Sequence, residues 1–188
     1  MKIAIVILNW NGKQLLEQFL PSVVSHSIDD AEVYVADNNS SDDSIAFLKE
    51  NFQNVKIIQN NINGGYAKGY NDALRHIDAD VYCLLNSDVS VTKNWIKPIM
   101  KEFKENPKIA AIQPKILDYK NKVKFEYAGA AGGYIDSLGY PYCRGRIFTS
   151  LETDNGQYDT NKDIFWASGA CFFVRSHIFH QLNGFDEG

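Results

Sequence analysis

Four short polar clusters carry most of the chemistry open to this chain. Asn86-Ser87-Asp88 closes the apolar run Val81 to Leu85, and Asn9-Trp10-Asn11-Gly12 closes the run Ile3 to Leu8. Asp37-Asn38-Asn39-Ser40-Ser41-Asp42 follows Glu32 to Ala36, and Asn60-Asn61-Ile62-Asn63-Gly64-Gly65 follows Val55 to Ile58. Any one cluster reads as a turn or cap, because Asn, Asp, Ser and Gly make both. Four in succession, each at a strand end, point to a binding edge. Ends of parallel strands converge on one rim, and ligands of open α/β sheets bind there. A carboxylate such as Asp88 on that rim can hold a divalent cation, and the cation a diphosphate. Asp37 can accept a hydrogen bond from a base N–H or a ribose hydroxyl. Gly64 and Gly65, with Gly69 further on, let the backbone approach a ligand at a helix N-terminus. Lys68 and Arg75 can supply countercharge, with surface solvation the more ordinary role for Arg75. The spacing is not G-x-G-x-x-G, so a nicotinamide dinucleotide fits poorly.

These clusters need a scaffold, and the apolar pattern supplies one. Ile3 to Leu8 is apolar throughout, as in a strand covered on both faces. Leu15, Leu16, Phe19, Leu20, Val23 and Val24 then recur at helical spacing, with Pro21 predicting a kink or break. Glu32–Ala36, Val55–Ile58 and Val81–Leu85 read as further strands. Between them lie helical patterns carrying Ile45, Leu48 and Phe52, then Tyr66 to Ile77. Ser40 or Ser41 is expected to cap the first of these, with Asp42 and Asp43 in its first turn. Asn94 to Glu105 reads as a helix and Ile109 to Gln113 as a strand. Strand–helix alternation predicts an α/β fold with a mostly parallel sheet. Residues 118–160, rich in Gly, Tyr, Asn and Asp, read as an irregular or hairpin-like insertion. Ile164 to Val174 is apolar again, and Ser176 is expected to cap a short helix ended by Gly184. No linker or repeat interrupts the pattern, so a single domain spans 1–188.

Composition narrows the classes. The 188 residues are 45% apolar and 22% charged, with net charge −4 and no Lys/Arg stripe, which argues against a nucleic-acid partner. An anionic ligand must then be met by local groups rather than a broad positive field. Cys83, Cys143 and Cys171 have no metal spacing. Cys83 and Cys171 lie in apolar runs and read as core thiols, and an odd count suggests a reducing cytoplasm. No segment reaches transmembrane length, which leaves peripheral association at the inner face of a membrane open.

The strings Ile5 to Gly12, Val35 to Asp42, Asn63 to Asn71, Leu84 to Val89, Gly169 to Arg175 and Gly184-Phe185-Asp186-Glu187 together resemble the family 2 glycosyltransferases, most closely the rhamnosyltransferase-like branch. The ordered set covers essentially the whole chain. The resemblance implies a GT-A (nucleotide-diphospho-sugar transferase) fold, a Rossmann-like sandwich. Residues 1–114 would form the nucleotide-sugar half and 115–188 the acceptor-side half. It implies inverting transfer of a sugar from a nucleotide-diphosphate donor to a glycan or lipid-linked acceptor, in cell-surface polysaccharide synthesis. By likeness, Asn9 and Asn11 lie near the nucleotide, and Asp37 and Asn38 face the base or ribose. Asn63, Gly65 and Lys68 line the donor pocket, and Asp88 is the metal ligand of a D-x-D-type motif written here Asn86-Ser87-Asp88.

Two departures from the family pattern matter. The first carboxylate of the metal motif is the amide Asn86; Asp88 alone can suffice for Mg²⁺ or Mn²⁺, bound together with the nucleotide, with Asn86 aimed at the sugar or ribose. The chain also stops at Gly188, directly after Asp186 and Glu187, which are near-site candidates; the general base is expected beyond it, leaving the acceptor-side half incomplete. Trp166 can stack on an acceptor sugar or simply pack. Tyr134, Tyr140 and Tyr142 can line an acceptor groove or pack beneath a loop. His177 and His180 read as surface residues. Two competing readings are a nucleotide-sugar-binding fragment without turnover and a sugar-nucleotide pyrophosphorylase. The second calls for a Gly-rich basic loop after the first strand, where this chain has Asn9-Trp10-Asn11-Gly12.

Overall fold

The computed structural model describes residues 1–126 and 130–188; three residues of the predicted insertion, 127–129, lie outside the described residues. The chain divides into two compact units, Met1–Ala111 with Phe173–Gly188, and Ile112–Phe172. The segment 173–188, assigned from sequence to the second half, therefore belongs to the first unit.

The first unit is built by βα alternation. β1 (Ile3–Asn9), α1 (Lys13–Ser27), β2 (Glu32–Asp37), α2 (Ser44–Asn51), β3 (Lys56–Gln59), α3 (Gly65–Leu74), β4 (Val81–Leu85) and α4 (Ile96–Glu105) follow in order. β5 (Ala111–Ile112) and β10 (Cys171–Arg175) complete a six-stranded sheet of order β3-β2-β1-β4-β10-β5, and α5 (Ser176–Gln181) follows. β1 pairs in parallel with β2 and β4, and β2 with β3. The apolar runs of β1 and β4 are buried almost throughout, which is why they lack the polar alternation of a one-sided strand. After β3 the chain crosses back over β1 to lay β4 on its far side. The order therefore reverses between β1 and β4, the switch point at which α/β sheets open a crevice.

Three local expectations are corrected. Pro21 lies inside α1, yet the helix runs unbroken from Lys13 to Ser27. Proline costs about 3 kcal/mol within a helix. The buried side chains of Leu16, Phe19, Leu20 and Val23 contribute about 1.5–3 kcal/mol each and outweigh it. Pro21 and Glu17, whose carbonyl loses its helical partner, both lie on the exposed side. Ser40 and Ser41 do not cap α2, which begins at Ser44 after Asp43. Their hydrogen bonds go to the β1 loop instead. Likewise Ser176 is the first residue of α5 rather than its cap, and its hydroxyl donates to the Asp80 carbonyl at 3.2 Å.

The second unit carries the predicted insertion as a four-stranded antiparallel meander of β6 (Gly133–Ile135), β7 (Pro141–Cys143), β8 (Arg146–Ile147) and β9 (Ser150–Leu151). A small core of Phe125, Ala130 and Ala131, flanked by Leu117 and Tyr158, supports it. Lys115 bridges Asp154 and Asp159, at 2.6 and 2.5 Å.

Candidate functional site

The parallel registers bring the polar clusters to one rim. Asn9 is level with Asp37, Asp37 with Gln59, and Ile7 with Leu85, so Asn86-Ser87-Asp88 emerges beside the end of β1. At this rim two side-chain networks form. In the first, the buried Asn9 donates from Nδ2 to Asp37 Oδ1 at 3.0 Å and to Ser40 Oγ at 3.2 Å. Asp37 Oδ2 accepts the Ser40 N–H at 2.9 Å, and Ser40 Oγ accepts the Asn11 N–H at 2.8 Å. Asn11 holds a left-handed φ of 49°, which Asn tolerates better than most residues, and its Oδ1 caps the N–H groups of Ser41 and Asp42. Asp42 returns the link by accepting from the N–H groups of Lys13 and Ser44. Burial works against its charge, but the donors from Ser44 and Lys13 prevail and hold its pKa below the ordinary carboxylate value.

The second network sets the β3–α3 loop. Asn38 Nδ2 donates to Asn63 Oδ1 at 2.8 Å and to the Gly65 carbonyl at 3.0 Å, while its Oδ1 accepts from Asn60 Nδ2 at 3.1 Å. Asn60 also donates to the Gly69 carbonyl, and Asn63 Oδ1 accepts the Gly65 N–H. Gly65 needs its glycine for backbone reasons, with φ at +75° and open space around it. Gly69 serves packing rather than a ligand. A Cβ there would sit 2.9 Å from Leu8 and 3.0 Å from Asn38 Nδ2, so α3 lies close on β1. Gly64 lies under the stem of Lys68. Lys68 Nζ pairs with Asp72 at 3.0 Å and approaches Glu187 at 4.0 Å.

The sequence-derived candidates thus fall into two groups. Asn9, Asp37 and Asn38 are buried and bonded to one another, and act as the frame of the rim. Asn11, Asn63, Gly65 and Asp88 are exposed on it, with Lys68 and Asn86 half-buried. Asp88 sits in a turn closed by the Val89 N–H on the Asn86 carbonyl. Among the described residues, no group of three or more His, Cys, Asp or Glu is placed to hold a metal ion. Asp186 and Glu187 reach the first unit beside α3, where Glu187 Oε1 accepts from Asn71 Nδ2 at 2.9 Å. Sequence reasoning missed Ser40, Asn60 and Asn71 as framework residues. Ser40 and Asn60 stood in strand-end clusters but were read as caps and turns, and Asn71 lay within a quoted motif without a role.

In the second unit, Trp166 lies flat on Gly133, where a Cβ would come within 2.0 Å of the ring, and its Nε1 donates to the Tyr134 carbonyl at 2.9 Å. Tyr134 and Tyr142 stack with centroids 5.7 Å apart, while Tyr140 and Tyr142 remain largely exposed. Cys83 and Cys171 are buried and form no disulfide. His177 is exposed; His180 is also exposed but shares a 2.8 Å hydrogen bond with the buried Tyr82 hydroxyl.

Comparison with solved structures defines the class. A mannosyltransferase of Pyrobaculum calidifontis, solved with GDP-mannose and Mn²⁺, superposes with a TM-score of 0.66 at 15% identity, over 99% of this chain and 48% of its own. TarS of S. aureus superposes at 0.65 with 18% identity, over 100% of this chain and 51% of its own. The fold is of the GT-A type. The sequence profile of the glycosyl transferase family 2 matches residues 4–182, and the chain belongs to that family. An N-acetylglucosaminyl-diphospho-decaprenol L-rhamnosyltransferase of Mycobacterium tuberculosis is 25% identical over 201 residues, covering 97% of this chain and 64% of its own length. The chain therefore spans less than two thirds of that relative and about half of the two solved neighbours.

Proposed function

We propose that this chain binds a nucleotide-diphospho-sugar on the rim above β1 and β4, as the donor-binding part of a glycosyltransferase. The observation that carries the reading is the pair of hydrogen-bonded networks that locks together the loops after β1, β2 and β3, with Asp88 exposed past the end of β4, the strand that pairs with β1. Rigid frames of this kind hold ligand contacts in place without reorganisation on binding. In this reading Asn9, Asp37 and Asn38 orient the loops, while Asn11 and Asn63 face the nucleotide. Gly65 and Lys68 meet the diphosphate at the start of α3, where the helix N-terminus favours an anion, and Asn86 faces the sugar or ribose.

A divalent cation, Mg²⁺ or Mn²⁺, fits Asp88 as a single carboxylate ligand completed by phosphate oxygens and water, the manner in which such ions are commonly held beside nucleotides. When bound it would supply charge neutralisation on the departing diphosphate. The transfer we infer is an inverting displacement, in which an acceptor hydroxyl attacks the anomeric carbon and gives its proton to a general base. Asp186 and Glu187 are near-site carboxylates in this proposal, neither assigned as that base, and Trp166 belongs to the acceptor side. A lipid-linked or glycan acceptor is supported by the mycobacterial relative, named for a diphospho-decaprenol acceptor. Work on such an acceptor in cell-surface polysaccharide synthesis would put the protein at the cytoplasmic face of a membrane. Among the described residues no helix is long and apolar enough to cross one.

Calorimetric titration with UDP, dTDP and GDP, each with and without Mn²⁺, tests the donor site. Saturable binding of at least one nucleotide, tightened by Mn²⁺, is expected. No binding of any of the three under either condition overturns the proposal.

A further inference from the structure

The C-terminal segment is held by one side chain in an unusual way. Asn71 is buried, and its amide makes both of the bonds that a neighbouring strand would make to Phe185. Its Oδ1 accepts the Phe185 N–H at 2.8 Å and its Nδ2 donates to the Phe185 carbonyl at 2.9 Å. The remaining Nδ2 hydrogen goes to Glu187 Oε1 at 2.9 Å, so both of its donor positions are used. Gly184 has a left-handed φ of +80°, and a Cβ there would lie 2.3 Å from Asn71 Oδ1. Only glycine lets the chain pass this close. The Phe185 ring packs against Tyr66 and Phe179, with centroids 5.8 and 5.4 Å away.

The clamp leads to a cation. Glu187 Oε2 lies 4.0 Å from Lys68 Nζ, which also meets both oxygens of Asp72 at 3.0–3.1 Å. Lys68 thus stands between two carboxylates at the foot of the Gly64-Gly65 loop. Glu187 is exposed enough to be solvated on its own. Its position beside Lys68 is set by Asn71 rather than by burial.

We propose that Asn71 is a positioning residue that fixes the Glu187 carboxylate within reach of Lys68, so that a nucleotide diphosphate and the Gly184–Glu187 segment compete for the same cation. The proposal rests on the donor-site reading above and adds to it a coupling between donor binding and the placement of this segment. Coupling of this kind is reciprocal: whatever Glu187 takes from the donor's affinity, the donor takes from the hold on Glu187.

Calorimetry with UDP, dTDP and GDP in the presence of Mn²⁺ tests it on the whole chain. The wild-type titration comes first; if none of the three nucleotides binds, the donor-site reading has failed and the inference falls with it. Given binding, Glu187→Gln keeps the Asn71 hydrogen bond but removes the charge, and is expected to tighten it. A partly exposed pair of this kind corresponds to a change of about twofold to fivefold. Asn71→Ala frees Glu187 and should give the same gain, with no further gain in the Asn71→Ala/Glu187→Gln double variant. Should Asn71→Ala fail to fold, Gly184→Ala dislodges the segment from its own side and replaces it. Neither gain should appear in a Lys68→Met background, a dependence that a purely structural role for Asn71 would not produce. A Glu187→Gln gain that persists in Lys68→Met would mean general charge repulsion and overturn the proposal. So would unchanged affinity in whichever of the Asn71→Ala and Gly184→Ala variants folds.

Discussion

Gly69→Ala sets a helix preference against a packing constraint, and the geometry decides which wins. Alanine is favoured over glycine in a helix interior by about 1 kcal/mol, so on propensity alone the variant is stabilised. The new Cβ would meet Leu8 Cδ1 at 2.9 Å, Leu8 Cδ2 at 3.0 Å and Asn38 Nδ2 at 3.0 Å. Leu8 can yield, since its methyls end a flexible side chain that is not wholly buried. Asn38 cannot yield freely, because Asn63, Gly65 and Asn60 pin its amide from three directions. Overpacking costs about 1–3 kcal/mol, and a buried donor pushed off its acceptor about 1–3 kcal/mol more. The balance is a net loss of about 1–5 kcal/mol. At about 2–4 °C per kcal/mol for a chain of this size, Tm falls by about 2–20 °C. Urea unfolding should show a lower midpoint at unchanged slope, and nucleotide affinity should weaken as the Asn38 bonds to the Asn63–Gly65 loop loosen. A Gly69→Ala protein as stable as wild type, with unchanged nucleotide affinity, would refute the claim that close contact of α3 on β1 holds this loop.

Three further outcomes follow from the same geometry. Asp88→Asn should abolish the Mn²⁺-dependent part of nucleotide affinity while shifting stability by no more than about 0.5 kcal/mol, because the side chain is exposed; calorimetry and thermal unfolding on one preparation check both. Glu32 has its pKa lowered from 4.5 to about 2, chiefly by the Lys56 hydrogen bond and then by Tyr34. A lowered carboxylate pKa stabilises the fold above the unfolded value and ceases to do so as pH falls through the folded one. Glu32→Gln should therefore lose stability at pH 7, by under about 1 kcal/mol for so exposed a pair, and match wild type near pH 2 if unfolding is followed across that range. Gly133→Ala should evict the Trp166 indole, costing about 1–3 kcal/mol and shifting tryptophan fluorescence to the red; unchanged emission would mean that the ring does not need Gly133.

Much of the scaffold was legible because strands buried on both faces leave an unmistakable mark. Ile3–Leu8 and Val81–Leu85 carry no polar residue, and both form central strands. What could not be read locally was the outcome of competitions between distant parts. Pro21 predicted a kink or a break, but no break occurs, because the cost of a lost helix bond was set against side chains whose burial depends on the sheet beneath. Ser40 and Ser41 have the chemistry of helix caps, yet Asn9 and Asn11, distant in sequence, take up the Ser40 hydroxyl and the Ser41 N–H instead. The Asn71 clamp on Gly184–Glu187 tells the same story, since nothing near Asn71 in sequence announces that Phe185 will need a surrogate strand.

The two strand-end acids show where the limit lies. Asp37 and Asp88 both follow an apolar strand and both stand among amides, so composition and spacing treat them alike. In the folded chain Asp37 is 1% exposed, with both oxygens occupied by Asn9 and Ser40, whereas Asp88 is exposed. A carboxylate already satisfied by its own protein gains little from a ligand hydroxyl, because each new bond must replace an existing one and leave a buried donor unmet. An exposed carboxylate exchanges only water. The difference arises from register: Asn9 is placed level with Asp37 by the β1–β2 pairing, whereas β4 meets β1 with Leu85 level with Ile7, and Asp88 lies three residues further on. In the proposed donor site, Asp37 would therefore act on a ligand through the loops that it holds, and Asp88 is the acid of the pair exposed to meet one directly.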